Sequence, residues 1–251
     1  HLGLTVQADV FAGAIWRNGD DPLLRYDPLA GRSADPLDAD HHLLRQFAGT
    51  ATTSIGRVSV GRMVSSWGLG LLAQDGARDP FQFGVKRAGS VVDRIQLATM
   101  PAAWFSDPAT AFPLFAIVAV DRVVLDDLAD LAADEHASNL VAALLYKTKT
   151  SAVGMYGVMR SQEDDRGLTI DATVLDFFAA HGARMGRWRV QAATEWLMIS
   201  GETTYFRTPT NPDLLKLQQY GGAVRLQAER KGFGSRLEAG LTSGDDRPFD
   251  D

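Results

Sequence analysis

Apolar and polar residues alternate strictly at the start of the chain. Every even position from 2 to 16 is apolar, whereas the odd positions include Thr5, Gln7 and Asp9. Successive side chains of a β-strand point to opposite faces, so this pattern predicts one apolar face and one small or polar face. The run is 15 residues long, whereas soluble strands are typically about 5–6 residues. This length suits a tilted strand that crosses a lipid bilayer and continues beyond it.

The same alternation recurs later in the chain. Residues 187–199 place Trp188, Trp196 and Met198 on one parity and Arg189 and Glu195 on the other. Segments 168–174, 224–229 and 236–242 follow the same rule. The full pattern predicts eleven strands, at 2–17, 43–52, 56–63, 91–100, 111–122, 138–147, 151–162, 167–179, 186–201, 220–230 and 234–243.

The predicted connections alternate between short and long. Short turns are expected at 53–55, 148–150, 180–185 and 231–234, and longer loops at 18–42, 64–90, 123–137 and 201–219. Two connections fit less well, because 101–110 is long for a turn and 163–166 is short for a loop. Transmembrane barrels place short turns on the periplasmic side and longer loops outside. The first strand is therefore predicted to run outward.

These features predict an all-β fold, a transmembrane antiparallel up-and-down β-barrel. We expect one barrel domain over residues 1–251. Single-chain bacterial barrels have even strand numbers, so eleven strands indicate a fragment of a larger barrel, truncated at one or both ends. A soluble α+β protein is the alternative, because leucines at 125, 128 and 131 have helical spacing and 212–219 also suits a short helix.

Composition narrows the function classes. The net charge of −6 argues against a nucleic-acid partner, which favours a basic face. Since the chain has no cysteine, disulfides, thiolate zinc sites and cysteine nucleophiles are excluded. No apolar run reaches the roughly 18 residues of a membrane-spanning helix.

The candidate pore-lining residues are charged residues at the polar positions of the alternating strands, which face away from the lipid. At the bilayer midplane an arginine facing lipid costs about 2–4 kcal/mol, so these side chains are expected to face a wet interior or cross-strand partners. An eight-stranded barrel closes on its own side chains, whereas about 16–18 strands leave a channel. Eleven visible strands therefore favour a channel. The candidates are Arg57, Arg94, Asp171, Arg187, Arg189, Glu195, Arg225, Glu229 and Glu238.

Three motifs carry a family resemblance. Residues 56–76 contain a strand ending in Val-Gly-Arg that leads into Trp67-Gly68-Leu69-Gly70. Residues 91–94 read Val-Val-Asp-Arg, and residues 239–246 read Ala-Gly-Leu-Thr-Ser-Gly-Asp-Asp. These motifs resemble predicted outer-membrane proteins of myxobacteria and related deltaproteobacteria, and the last is loosely similar to alginate-export-type porins. The resemblance implies a porin-like barrel without a known substrate.

The loop at 64–76 is the candidate constriction. Its apolar residues would not be needed in a solvated loop, and Gly68 and Gly70 permit close backbone packing beside Trp67. Arg57 of the preceding strand, or Arg62, is expected to meet Asp75 or backbone carbonyls. The alternative is a cap packed on the barrel rim or on a partner. The letters of 68–73 also match a dinucleotide fingerprint, but the turn-rich sequence that follows lacks the required helix.

Other candidate chemistry is weaker. Asp38, Asp40, His41 and His42 offer oxygen and imidazole ligands without diagnostic metal spacing. The acidic residues at 245, 246, 250 and 251 lack the pattern of a calcium-binding EF-hand loop. No Gly-x-Ser-x-Gly nucleophile motif is present. The sequence therefore predicts no enzyme, cofactor or metal.

The predicted function is passive or weakly selective passage of small hydrophilic solutes through the bacterial outer membrane, with the lipid bilayer as the surrounding partner. The alternative is a structural or surface-binding barrel whose outer loops contact a protein or polysaccharide. Pore conductance separates the two.

Overall fold

The computed structural model describes residues 3–12, 42–75, 89–107, 110–126, 128–129, 131, 134–205 and 214–243. Alternation of apolar and polar residues, with turn residues between the runs, gives eleven strands. They are β1 (Gly3–Ala12), β2 (His42–Thr52), β3 (Arg57–Ser65), β4 (Ser90–Thr99), β5 (Leu114–Leu125), β6 (His136–Lys147), β7 (Ser151–Glu163), β8 (Thr169–Met185), β9 (Trp188–Thr203), β10 (Leu215–Arg230) and β11 (Phe233–Thr242).

The strands form one antiparallel up-and-down sheet in chain order from β1 to β11. Each strand pairs only with its sequence neighbours in the described part of the chain, so β1 and β11 are the two edges of the sheet. The predicted all-β, up-and-down architecture and the strand count are confirmed. The open sheet is consistent with a fragment of a barrel wall.

Connections of different length sort to opposite ends of the sheet. One end carries the turns at 53–56, 148–150, 186–187 and 231–232, together with the connection at 100–113 and its short 3-10 helix Pro101–Trp104. The other end carries the connections after β1, β3, β5, β7 and β9. The predicted turn at 180–185 is wrong, because β8 continues to Met185 in register with β9.

The helical readings are also corrected. The described residues of 126–135 contain no α-helix, and Asp126 instead caps a turn by accepting the N–H groups of Leu128 and Ala129. In 212–219, β10 begins at Leu215 and pairs with the end of β9. No helix among the described residues is long and apolar enough to cross a membrane.

The two faces of the sheet differ in exposure. Large apolar side chains on the outward face are left about half exposed, including Val120, Leu140, Met159, Leu175, Phe177, Trp196, Met198, Leu226 and Leu237. The inward face carries the buried cluster of Ala119, Val141, Ala143, Tyr156, Val158 and Val174. Exposed apolar side chains on every strand from β5 to β11 form a belt that suits lipid acyl chains. Trp196, Leu226 and Leu237, which the alternation in the sequence puts on the apolar face of their strands, lie in this belt, whereas Trp16 lies outside the described residues.

The sheet is strongly curved around its inward face. Residues 66–75, which follow β3, place the backbone N–H of Leu69 on the Glu195 carboxylate of β9. Six strand spacings separate β3 from β9, or roughly 29 Å along the sheet. The chain from Ser65 to Leu69 reaches at most about 14 Å. The sheet must therefore bend so that β3 and β9 approach across the inward side, and residues 66–75 lie inside that curve. We call residues 66–75 the inward segment.

Candidate functional site

A polar row crosses the inward face on neighbouring strands. Arg94, Asp121, Asn139 and Arg160 occupy successive register positions on β4 to β7. Arg94 binds Asp121 with two hydrogen bonds, Nε to Oδ1 at 2.6 Å and Nη2 to Oδ2 at 2.7 Å. Arg160 donates from Nη1 to Oδ2 of Asp126 at 2.6 Å. Both arginines are thus neutralised by adjacent carboxylates, and the row has little net charge to offer a solute.

Asp126 lies just beyond the end of β5, where burial and ionic contacts compete. Burial disfavours its charged form, but Arg160 and the N–H groups of Leu128 and Ala129 outweigh burial and hold the pKa of Asp126 below its usual value. The ionised carboxylate therefore ties the β5 connection to β7.

The inward segment packs against the wall through Trp67. Its ring stacks on Tyr156, with centroids 5.2 Å apart and an interplanar angle of 21°. It also meets Phe178 edge-on, at a centroid distance of 6.4 Å. Trp67 Nε1 donates to Asp176 Oδ1 at 3.1 Å. A Cβ at Gly154 would lie 2.7 Å from the Trp67 ring, so the absence of a side chain there makes room for it.

Gly68 lets the segment approach β9. Its φ is +55°, a left-handed conformation that favours glycine. A Cβ at this position would collide with the Glu195 carboxylate. Glu195 in turn accepts a hydrogen bond from the backbone N–H of Leu69. The segment therefore needs both its glycine and the carboxylate to sit where it does.

Two cavities lie on either side of the inward segment. The first, of about 260 Å³, is lined by Leu72 and Ala73 of the segment together with Asp121, Asn139 and Arg160. The second, of about 320 Å³, is lined by residues of the segment with Leu145, Lys147, Ala152 and Phe178. The predicted constriction residues Trp67, Gly68, Gly70 and Asp75 all border this second cavity. The segment thus stands between two open spaces on the inward face.

Most predicted pore-lining residues share the inward face. This set is Arg57, Arg94, Arg189, Glu195, Arg225, Glu229 and Glu238, and Arg225 is ion-paired with Glu238 across β10 and β11. Two assignments are corrected. Asp171 lies on the outward parity with Leu175, near the end of β8, because Ala172 and Val174 point inward. Arg187 lies in the turn between β8 and β9 rather than in a strand.

Four inward charged or polar residues of the central strands were missed by sequence reasoning. These residues are Asp121, Asn139, Arg160 and Asp176. Asp176 carried a usable signal, since it is a lone charge between Leu175 and Phe177. The alternation over 168–174 predicts that the even positions of β8 form its apolar face, which puts Asp176 on the outward side, whereas Asp176 points inward. The metal candidates Asp38, Asp40 and His41 and the acidic residues 245–251 lie outside the described residues, and nothing is described of the His42 side chain.

The chain has two structural neighbours at low sequence identity. No protein-family profile and no curated protein matches the sequence. Two solved structures are similar in architecture. One is a loop L8 deletion mutant of OmpT, an outer membrane protein of Vibrio cholerae, at 12% identity and a TM-score of 0.42, covering 82% of this chain and 76% of that one. The other is in-vitro folded OmpT in its trimer form, with the same identity, TM-score and coverage of this chain, and 72% of its own chain covered.

The up-and-down sheet and its outward apolar belt are those of an outer-membrane β-barrel wall, for which the bacterial outer membrane is the fitting location. The resemblance to the myxobacterial group stays a prediction.

Proposed function

We propose that this chain forms the wall of an outer-membrane barrel through which small hydrophilic solutes pass, and that the inward segment narrows the passage. The observation that carries the proposal is the position of residues 66–75. They leave the end of β3, cross the inward face and contact β7, β8 and β9 through Trp67 and Leu69. A segment held inside a barrel wall limits the cross-section available to a solute.

The charge distribution supports weak selectivity. On the polar row, Arg94 is paired with Asp121 and Arg160 with Asp126, so each positive group of the row is matched by a negative one. Charged rings of one sign select ions, whereas mixed and paired charges do not favour either sign strongly. We therefore expect uncharged solutes to pass, with a small preference between cations and anions.

The close packing of the inward segment favours one second candidate, a closed barrel that binds a partner through its outer loops. Leu69 is 3% exposed and Ala73 is 6% exposed, as in a packed interior.

Both proposals give the barrel the same orientation, in which the short turns lie in the periplasm. These turns are 53–56, 148–150, 186–187 and 231–232.

Liposome swelling distinguishes the two candidates. The full-length protein is reconstituted into liposomes, which are then diluted into uncharged sugars and polyols of graded size. A channel gives swelling rates that fall with solute size, whereas a closed barrel gives the rate of protein-free liposomes for every solute. The latter result would reject the channel and leave the binding barrel.

A further inference from the structure

Two buried carboxyl groups lie directly beneath the inward segment. Asp176 of β8 is 1% exposed and Glu195 of β9 is 0% exposed. Each gives one oxygen to the segment: Asp176 Oδ1 accepts from Trp67 Nε1, and Glu195 accepts from the N–H of Leu69. Asp176 stands opposite Leu197 and Glu195 opposite Phe178, so the two carboxyl groups are diagonal neighbours across β8 and β9 on the inward face.

The remaining oxygens of the pair lack a protein donor. Asp176 Oδ2 and Glu195 Oε1 are both buried and meet no N–H or O–H group among the described residues. Ionised carboxylates only accept hydrogen bonds, so a bond between two of them requires a proton on one. One shared proton satisfies both oxygens and removes the repulsion between two adjacent buried charges.

The hydrogen bonds that the pair accepts come from Trp67 and Leu69 and not from a cation. Residues 66–74 of the segment contain no ionisable group. On β7, Tyr156 stands opposite Asp176 in register, and on β10 Ala223 stands opposite Glu195. The nearby cations of the inward face pair with other carboxylates: Arg94 binds Asp121, and Arg225 binds Glu238 through Nε, while Arg225 Nη2 is buried with no partner among the described residues.

Lys147 and Asp75 border the cavity on the far side of Trp67. The carboxyl pair therefore depends on its own proton.

We propose that Asp176 and Glu195 act as a proton-operated latch, which holds the inward segment on the wall while they share one proton and releases it when that proton is lost. The inference deepens the proposed function by giving the passage a regulator. In the released state both carboxyl groups meet water and give up the proton more readily. Acid therefore favours the docked segment and alkali favours release. Because one proton is linked, the ratio of docked to released segment falls by at most about tenfold per pH unit.

Thiol labelling measures release without relying on conduction. The chain has no native cysteine. Ala73→Cys, at a position 6% exposed in the docked segment, reports release, whereas Ser66→Cys, at an exposed position, reports the intrinsic pH dependence of the thiol reaction. The full-length protein in liposomes is labelled with a maleimide between about pH 5 and pH 9. The ratio of the two labelling rates is expected to rise with pH.

The latch variants keep the hydrogen bonds and remove the titration. In Glu195→Gln the amide NH2 donates to Asp176 and its carbonyl accepts from Leu69. In Asp176→Asn the amide donates to Glu195 and its carbonyl accepts from Trp67. In both variants the labelling ratio should be low and independent of pH. Glu202→Gln, at an exposed carboxylate on the outward side of β9, is the matched control and should keep the parent's dependence.

The outcomes separate the latch from the channel. A ratio that is flat with pH in the parent, or that still rises in both latch variants, overturns the latch. A rising ratio that is lost in either variant supports it, whatever the conductance does. If the ratio rises while conductance stays constant at every pH, the latch stands and the proposed narrowing of the passage fails.

Discussion

Replacing Trp67 with alanine should release the inward segment from the barrel wall. The indole makes three contacts that the alanine methyl cannot make: the stack on Tyr156, the edge contact with Phe178 and the Nε1–H bond to Asp176. The backbone of the segment would keep its hydrogen bonds, including Leu69 N–H to Glu195 and Ser90 N–H to the Gln74 carbonyl. We therefore expect the docked state to lose most of its side-chain anchoring.

The size of the effect follows from these contacts. Aromatic pairs contribute about 0.5–1.5 kcal/mol each, and a typical hydrogen bond contributes about 1 kcal/mol. A total loss of about 3 kcal/mol agrees with the lower part of the range of about 3–5 kcal/mol for truncating a buried aromatic residue, since Trp67 is only partly buried. It changes the ratio of docked to released segment roughly 100-fold.

Trp67→Phe is the matched control, because phenylalanine keeps a ring between Tyr156 and Phe178 but lacks the Nε1–H group. It should lose about 1 kcal/mol, or about fivefold in the same ratio. Labelling of a cysteine at position 73, relative to one at position 66, measures the ratio in both variants. Equal labelling of the parent and Trp67→Ala, in barrels that fold, would refute the assignment of Trp67 as the anchor.

Three further changes test other parts of the account. Gly68→Ala should release the segment, because the added methyl group collides with Glu195. Gly186→Ala is the control: its φ of +62° is comparable but the space around it is open, so labelling at position 73 should stay unchanged. Equal effects of the two substitutions would contradict the collision with Glu195. Leu140→Arg, on the outward belt, should lower the free energy of unfolding in liposomes by about 2–4 kcal/mol, and no loss in a urea titration would contradict lipid exposure. Burial raises the pKa of Asp126, but an arginine of β7 and two backbone N–H groups outweigh burial, so the pKa is lowered in the folded protein. The ionised carboxylate therefore stabilises the fold at pH values above the pKa of the unfolded chain. This contribution is lost as the pH falls through the pKa of the folded protein. Asp126→Asn should therefore reduce the acid sensitivity of hydrogen exchange in the β5 connection, and an unchanged acid response would reject this role.

The sequence predicts which residues face lipid and which face inward where only one face of a strand is apolar. In β9, β10 and β11 the polar positions, such as Glu195, Arg225 and Glu238, fall on one parity and the lipid-facing residues on the other. Water or polar partners are available only on the inward face, so the alternation in the sequence reports the two environments directly.

The predicted lipid-facing side of β8 is wrong, because both faces of this strand carry apolar residues. Ala172 and Val174 pack inward beside the first cavity, while Leu175 and Phe177 face outward. The pattern alone could not identify the lipid face, because the partly filled interior also accepts apolar side chains. Asp171 was assigned inward for this reason. It is tolerated outward because it lies near the strand end, where charge costs less than at the midplane.

The inward segment shows how far local sequence can identify a site. Its apolar residues and glycines predicted a closely packed loop, and Gly68 does provide the close approach. Its contact partners, Asp176 and Glu195, follow it in sequence by more than 100 residues, at separations of 109 from Trp67 and 126 from Leu69. Such contacts depend on sheet curvature and register, which one sequence does not specify.

The most direct test of the central claim is the single-channel conductance of a barrel without its inward segment. Residues 68–72 are deleted from the full-length protein, and the parent and the deletion are compared in planar bilayers at the same pH and salt. If the segment narrows the passage, the deletion should conduct more than the parent and admit larger uncharged solutes. An unchanged conductance in a deletion that folds correctly would contradict the narrowing, and would assign the segment to packing or partner binding instead.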